Sequence, residues 1–137
     1  MIDVLITEGK LRPSQATAGD VTFHDSCYLA RYNRVSDAPR RVLAALDGAR
    51  LLEPGRRGEE TFCCGGGGGH LWYEETGGKR INHERAGQLL ATGASTVASA
   101  CPFCMTMLSD GVKAQGPDAS MPVLDLAELV EQATRPA

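Results

Sequence analysis

Five cysteines form one pattern in this chain of 137 residues. Cys27 is followed after 35 residues by the adjacent pair Cys63 and Cys64, and then after 36 residues by Cys101 and Cys104. Thiolates are preferred ligands of zinc and of iron–sulfur clusters, and thiols are also the reactive groups of redox proteins. If the fold brings the three segments together, these cysteines form a single sulfur-rich site.

The number and spacing of the cysteines indicate which chemistry is favoured. A structural zinc ion usually takes four ligands from two chelating pairs, and only Cys101 and Cys104 form such a pair here. Adjacent cysteines chelate one tetrahedral ion poorly because their side chains diverge, but they can reach two metals of one cluster. An odd number of cysteines is also a poor disulfide framework. The pattern favours an iron–sulfur cluster, with a zinc-binding structural or interaction module as an alternative.

Cys101 and Cys104 also permit a function that needs no metal. A Cys-Pro-Phe-Cys segment that follows a strand and opens a helix is typical of thiol–disulfide oxidoreductases, because the helix N-terminus lowers the pKa of the first thiol. Those folds place the dithiol near the start of the domain, whereas 33 residues follow Cys104. Exchange at this dithiol would also leave the other three cysteines unexplained. It is therefore the weaker alternative.

The residues that follow the cysteines suit an anionic centre. The five glycines at 65–69 can adopt positive φ and direct several N–H groups at sulfur, and a helix after Cys101 would direct its dipole at that thiolate. A phosphate site is not favoured, because the glycine run lacks the Lys-Ser/Thr ending of a P-loop. Trp72 and Tyr73, which lie shortly after the glycine run, are expected to cover the site and exclude water.

Several polar side chains are secondary candidates. His24 and Asp25 precede Cys27 and could hydrogen-bond a ligand sulfur or couple a proton, although such a pair more often caps a strand end. His70 could tune, shield or ligate a cluster or be an ordinary loop histidine, and His83 is expected to be solvated. Four arginines could neutralise an anionic cluster or meet an acidic partner, although exposed helix charge is the commoner role: Arg31, Arg34, Arg80 and Arg85.

Alternating strands and helices must position these side chains. Hydrophobic patterns predict strands at 21–24, 49–53, 96–100 and 122–124. Helices are predicted at residues 37–47 with a Ser36 or Asp37 cap, at 81–92, from Pro102, and from a capping box of Asp125 and Glu128. Residues 2–8 fit a short helix ended by Gly9 about as well as a strand.

This alternation predicts a single α/β, Rossmann-like domain with a mainly parallel sheet and helices on both faces. In such sheets, ligands bind beyond the carboxyl ends of the strands. Because Cys27 and Cys101 each follow a predicted strand, we expect both at this edge, with Cys104 on the inward face of the next helix. Residues 20–131 are expected to form the core, and residues 1–19 to be a remnant or linker of a larger protein.

Composition excludes several classes of function. With 42% apolar and 23% charged residues the chain is typical of globular domains, and its net charge of −3 without a basic stripe argues against nucleic acid as a partner. No apolar run approaches the roughly 20 residues of a membrane helix, and no signal-peptide pattern is present. We therefore expect a cytoplasmic segment that does not itself insert into a membrane.

The sequence around the cysteines resembles a known family. The pattern Cys-x35-Cys-Cys-Gly-x35-Cys-x2-Cys is similar to the CCG, or cysteine-rich, domain of the heterodisulfide reductase and glycolate oxidase iron–sulfur subunits. The segments His-Asp-Ser-Cys-Tyr-Leu at 24–29, Ala-Pro-Arg at 38–40 and Cys-Pro-Phe-Cys at 101–104 agree with it. Together they most resemble the C-terminal domain of membrane-bound oxidoreductases that pass electrons from electron-transfer flavoprotein to quinone.

This resemblance implies a cofactor, its ligands and its partners. The cofactor would be a noncubane [4Fe-4S] cluster, and the matching ligands are Cys27, Cys63, Cys64, Cys101 and Cys104. The chain would be an electron-transfer domain of a larger oxidoreductase and not a complete enzyme. Its partners would be other iron–sulfur domains or subunits and electron-transfer flavoprotein, at the cytoplasmic face of a membrane that the rest of the protein reaches.

Overall fold

The computed structural model describes residues 1–16, 19–73, 76–117 and 119–135. Its strands are β1 Asp20–His24, β2 Arg50–Leu51, β3 Thr96–Ser99 and β4 Val123–Asp125. Its α-helices are α1 Ile2–Thr7, α2 Asp37–Ala44, α3 Ile81–Leu90, α4 Pro102–Lys113 and α5 Leu126–Thr134. Shorter helical turns comprise a π-helical turn at Tyr28–Tyr32 and 3₁₀ turns at Gly58–Glu60 and Gly67–Trp72.

The strands form one parallel sheet in the order β2-β1-β3-β4. Successive side chains of a strand point to opposite faces. Val21 and Phe23 of β1 therefore pack into a core with α2 and α5, whereas Val97 of β3 packs into a second core with α3 and α4. Helices cover both faces of the sheet, which confirms the predicted α/β architecture.

The order of the strands reverses between β1 and β3. The chain leaves β1 to form β2 on one side and later returns to form β3 on the other side. His24 and Ser99, the last residues of β1 and β3, are paired, so the carboxyl ends of the two strands lie side by side. Parallel sheets bind ligands in the crevice at such a reversal. Cys27 and Cys101 follow the ends of β1 and β3 in the sequence, which places both cysteines near this crevice.

The boundaries of some elements differ from those predicted. Residues 2–7 are helical, and Ile2 and Ile6 pack against the first core, while residues 17 and 18 lie outside the described residues. The division into residues 1–19 and 20–131 stays a prediction. Strand β2 is shorter than 49–53 because it lies at the edge of the sheet and meets Pro54 soon after Leu51.

Helix ends follow the sequence signals only in part. The capping box of α5 is confirmed, since Asp125 and Glu128 each accept a backbone N–H. Ser36 lies at the N-cap of α2, but its side chain makes no capping hydrogen bond. In the described part of the chain, no helix combines the length and the apolar composition that crossing a membrane requires.

Candidate metal centre

The end of β1 is anchored before it delivers Cys27. Asp25 is 1% exposed, and its carboxylate accepts two hydrogen bonds from Arg40 at 2.8 Å and one from the Gly58 N–H at 2.7 Å. These bonds, above all those from Arg40, hold the pKa of Asp25 below its usual value despite the burial of this carboxyl group. Cys27 then opens the π-helical turn and is half-buried.

Hydrogen bonds tie the loop of Cys63 and Cys64 to the end of β1. The buried hydroxyl of Thr61 donates to the Asp25 carbonyl at 3.0 Å. From the π-helical turn, Arg31 donates to the carbonyls of Glu59 and Thr61. Arg31 therefore holds the cysteine loop through backbone carbonyls.

Helix α4 delivers the remaining two thiols. Cys101 is the N-cap in extended conformation and Pro102 is the first helical residue, as the sequence predicts. Cys104 lies one turn into the helix and is 3% exposed. The side-chain amide of Asn82 in α3 donates to the Met107 carbonyl at 3.1 Å, so α3 and α4 are joined directly behind the thiols.

The structure brings the innermost thiols into contact. The sulfurs of Cys64 and Cys104 are 3.3 Å apart, and a ring nitrogen of His24 completes a buried group whose ligand atoms lie within 4.8 Å of one another. Cys101 packs against the core that contains Cys64 and Cys104. Cys27 and Cys63 are half-buried, and all five cysteines, each of which the structure describes, are free thiols.

Backbone N–H groups of the glycine run point at these sulfurs. The Gly65 N–H donates to Cys63 Sγ at 3.2 Å, and hydrogen bonds from Gly67 to Cys63 and from Gly66 to Cys64 favour the thiolate forms. Gly65 adopts φ +89°, a conformation that disfavours side chains with a Cβ. The predicted nest of N–H donors is therefore present, and residues 65–67 form it.

Proximity makes the metal-free thiols hard to ionise. The Cys64 thiol, followed by burial, raises the pKa of Cys63 far above its usual value. The Cys104 thiol, together with burial, raises the pKa of Cys64 to about 11 although the Cys63 thiol lowers it. Two neighbouring thiolates repel each other in a buried site, and a bound cation removes that repulsion. The donor set therefore fits a metal centre that compensates several thiolates.

His24 and Arg85 lie behind the thiols. Both side chains are almost completely buried, and the Arg85 Nε–H donates to His24 Nδ1 at 3.1 Å. Burial, reinforced by the Arg85 charge, lowers the pKa of His24 to about 3, so its imidazole is neutral. The Nε2 atom of His24 has no hydrogen-bond partner among the described residues.

Sequence reasoning gave Arg85 too little weight. The commoner role considered for it, an exposed helix charge, is wrong, because Arg85 lies on the buried face of α3. Asn82, Ala86 and Leu89 share that face with Arg85. The four residues follow the spacing i, i+3, i+4 and i+7 of one helical face. Two polar residues on an inward helical face are the signal that could have identified a buried polar site.

The other candidates lie around the site without joining the thiols. Trp72 and Tyr73 are 85% and 64% exposed and line an open cavity of about 600 Å³ beside Gly65 and Met107. The prediction that they exclude water from the site is therefore wrong, because the turn of glycines before them carries both rings outward.

The remaining candidates have peripheral positions. His70 and Arg80 line the same cavity, and Arg34 is exposed with φ +54°. His83 is half-buried, and its backbone carbonyl accepts a hydrogen bond from Gln115. Neither His70 nor His83 is among the groups of described residues that could hold a metal ion.

Curated proteins with similar sequences span several microbial oxidoreductases. The chain is 47% identical over 128 residues to the "Probable iron-sulfur-binding oxidoreductase FadF" of Bacillus subtilis. The aligned residues cover 93% of the chain and 18% of that protein. The chain is also 44% identical over 136 residues to the "EtfAB:quinone oxidoreductase" of Syntrophomonas wolfei. Here the aligned residues cover 94% of the chain and 19% of that protein.

A third relative comes from Methanosarcina barkeri. It is a subunit of the "Dihydromethanophenazine:CoB--CoM heterodisulfide reductase" and is 36% identical over 129 residues, which cover 94% of the chain and 31% of that protein. The chain thus spans less than a third of the length of each of these relatives. Residues 21–109, which include all five cysteines, match the family described as CCG, cysteine-rich domain. The chain belongs to the CCG cysteine-rich domain family.

Proposed function

We propose that this chain binds an iron–sulfur cluster and passes electrons as one domain of a larger oxidoreductase. The observation that carries the proposal is the meeting of Cys64 and Cys104, 3.3 Å apart, beside three glycine N–H groups directed at sulfur. These features lie at the strand-order reversal of the sheet. Buried thiols surrounded by N–H donors suit an anionic iron–sulfur centre.

The proposed ligands are Cys27, Cys63, Cys64, Cys101 and Cys104. They come from the end of β1, from the loop at 61–66 and from the start of α4, and the hydrogen bonds of Asp25 and Thr61 hold the first two segments together. Five soft donors, two of them adjacent in sequence, match a cluster of several irons better than a single ion. We propose the noncubane [4Fe-4S] form.

The chain itself would contribute charge compensation and insulation. An iron–sulfur cluster supplies a one-electron carrier when bound. The N–H groups of residues 65–67 would stabilise the charge on Cys63 and Cys64, and Leu108 and Val97 would keep water from the inner thiols. Hydrogen bonds to sulfur raise the reduction potential, so this segment would favour the reduced state.

The partners are proposed from the relatives. One relative is named as a quinone oxidoreductase of EtfAB and another as part of a heterodisulfide reductase. We propose that electrons reach this domain from other iron–sulfur domains or subunits, or from electron-transfer flavoprotein, and leave to a further centre of the same complex. We also propose that the domain lies at the cytoplasmic face of a membrane.

The contacts of Cys104 argue against the thiol–disulfide alternative. That alternative needs Cys104 as the resolving partner of Cys101, but the Cys104 sulfur lies 3.3 Å from the sulfur of Cys64, which the alternative does not use. Zinc has a more specific observation in its favour, because potential ligand atoms of His24, Cys64 and Cys104 lie within 4.8 Å of one another. The decisive measurement must therefore separate zinc from iron and sulfide.

We would measure metal and acid-labile sulfide in the chain purified without oxygen, with electron paramagnetic resonance spectra before and after reduction. The proposal predicts about four irons and four sulfides per chain and a signal that depends on the redox state. About one zinc without sulfide would instead establish the structural module, and the absence of any metal would favour the dithiol.

The ligand set predicts the outcome of a matched pair of substitutions. Cys64→Ser should lose most of the iron and abolish the normal spectrum, because Cys64 is one of the buried donors whose ligand atoms lie within 4.8 Å of one another. His83→Ala should leave both unchanged, because the described interaction of His83 uses only its backbone carbonyl. Full metal content and an unaltered spectrum in Cys64→Ser would contradict the five-ligand assignment.

A further inference from the structure

A buried imidazole lies against the thiols with one nitrogen unpartnered. His24 is 1% exposed, and a ring nitrogen lies within 4.8 Å of the sulfurs of Cys64 and Cys104. Nδ1 accepts the hydrogen bond of Arg85, whereas Nε2 has no partner among the described residues. Buried polar atoms are nearly always hydrogen-bonded, so an orphan at this position indicates an interaction with what the thiols bind.

The Arg85 hydrogen bond decides which nitrogen of His24 carries the proton. A guanidinium only donates hydrogen bonds, so Nδ1 must present its lone pair to Arg85. In a neutral imidazole the proton is then on Nε2, which becomes a donor. A metal-bound histidine shows the opposite arrangement, because its non-ligating N–H donates to a carboxylate or carbonyl. His24 is therefore unsuited to be a ligand and suited to donate to sulfur.

Arg85 also brings a buried positive charge. Its remaining hydrogen bonds go to neutral acceptors, namely the Arg56 carbonyl at 3.0 Å, Gln88 Oε1 at 3.0 Å and the Thr61 hydroxyl at 3.5 Å. Across the described residues, no carboxylate forms an ion pair with Arg85, and the nearby Asp25 is bound by Arg40. A buried charge without a counterion is costly, and an anionic cluster on the adjacent thiols would compensate it.

We propose that Arg85 positions His24 so that its Nε2–H donates to a sulfur of the cluster that Cys64 and Cys104 would hold, and that the pair raises the reduction potential of the cluster. This inference rests on the proposed function. One-electron reduction adds one negative charge to the site without a proton, and both the N–H donor and the buried cation stabilise that charge. Arg85 therefore acts in two ways, as the residue that positions His24 and through its own charge.

The test is a redox titration monitored by electron paramagnetic resonance, in which dithionite supplies electrons through mediator dyes. At the wild-type midpoint potential, Arg85→Met and His24→Leu should each lower the ratio of reduced to oxidised cluster about tenfold. This corresponds to a midpoint potential lower by about 59 mV for one electron. His24→Gln should shift less, because its amide can accept from Arg85 and donate to sulfur. Arg41→Met, which removes the same charge from an exposed ion pair with Asp3, should not shift.

Two results would overturn the inference. One is an unchanged midpoint in both Arg85→Met and His24→Leu, and the other is an equal shift in Arg41→Met, since that would reflect net charge alone. A measurement on the unaltered chain avoids variants that fail to fold. With ¹⁵N-labelled histidine, the reduced cluster should show only weak nitrogen hyperfine coupling, whereas strong coupling would identify His24 as a ligand and overturn its role as donor.

The same samples separate this inference from the proposed function. Wild-type chain that lacks iron and sulfide would overturn the proposed function and this inference with it. Wild-type chain with a full cluster but unshifted midpoints in the Arg85 and His24 variants would leave the proposed function intact and overturn this inference alone.

Discussion

At the scale of single residues, Gly65 connects the backbone to the thiols. Its N–H donates to Cys63 Sγ, and it does so at φ +89°, where a side chain is strained. A Cβ at this position would also lie 3.1 Å from the Ile81 Cβ and 3.3 Å from the Asn82 nitrogen. Gly67 has no comparable restriction, because a Cβ there would meet nothing within 4 Å.

These two glycines make a matched prediction. Gly65→Ala should destabilise the loop by about 1–3 kcal/mol and reduce iron content, because positive φ and the contact with α3 both oppose the added methyl group. Gly67→Ala keeps its backbone N–H and should bind as much iron as the wild type. Iron per chain after anaerobic purification checks both. Equal losses in the two variants would mean that loop flexibility, and not the geometry at Gly65, matters.

The sequence predicted the thiols better than their surroundings. The spacing of the cysteines predicted that thiols would meet, which the contact between Cys64 and Cys104 confirms, while a shared site for all five cysteines stays a prediction. The contact between Arg85 and His24 could not be predicted, since it joins residues 61 positions apart through a tertiary packing that no local pattern encodes. The exposed rings of Trp72 and Tyr73 depend on the φ values of the glycines before them, which the sequence leaves open.

At the scale of elements, α3 and α4 form the wall behind the thiols. They approach closely at Gly111, where a Cβ would lie 2.5 Å from the Asn82 carbonyl oxygen and 3.0 Å from the Ala86 Cβ. The Asn82 side chain also bonds the Met107 carbonyl of α4. The small residue at position 111 therefore lets the helix that delivers Cys104 lie against its neighbour.

A second pair of glycine substitutions tests this contact. Gly111→Ala should destabilise the chain by about 1–3 kcal/mol, because the methyl group overlaps the backbone of α3 and must separate the helices. Gly87→Ala in α3 should stabilise it by roughly 0.5–1 kcal/mol, because alanine is the better helix former and the site has room. Urea midpoints measured anaerobically check both signs. Stabilisation by Gly111→Ala would contradict the close packing.

At the scale of the whole molecule, the two cores have different dependence on the thiols. The core formed with α2 and α5 contains no cysteine, whereas the core formed with α3 and α4 includes Cys64 and Cys104. The proposed cluster would join three segments that otherwise meet through a small set of hydrogen bonds. Its removal should therefore weaken one side of the sheet more than the other.

Hydrogen exchange measured before and after metal removal tests this asymmetry. We expect faster amide exchange in residues 61–69 and 101–104 after chelation under reducing conditions, because these segments lose their shared ligand. Amides of α2 and α5 should keep their protection, since their packing contains no thiol. A uniform rise across both cores would indicate that the chain folds only with its metal.

The pairing of β1 with β3 has a consequence for the synthesis of the protein. The Ser99 hydroxyl bonds the His24 carbonyl across 75 positions, so the crevice forms only after most of the chain exists. At about 5–20 residues per second of translation, Cys27 waits on the order of 4–15 seconds before Cys104 has been made. During that interval its thiol is on an open chain and exposed to oxidants. Reducing conditions during synthesis should therefore protect the Cys27 thiol until the crevice forms.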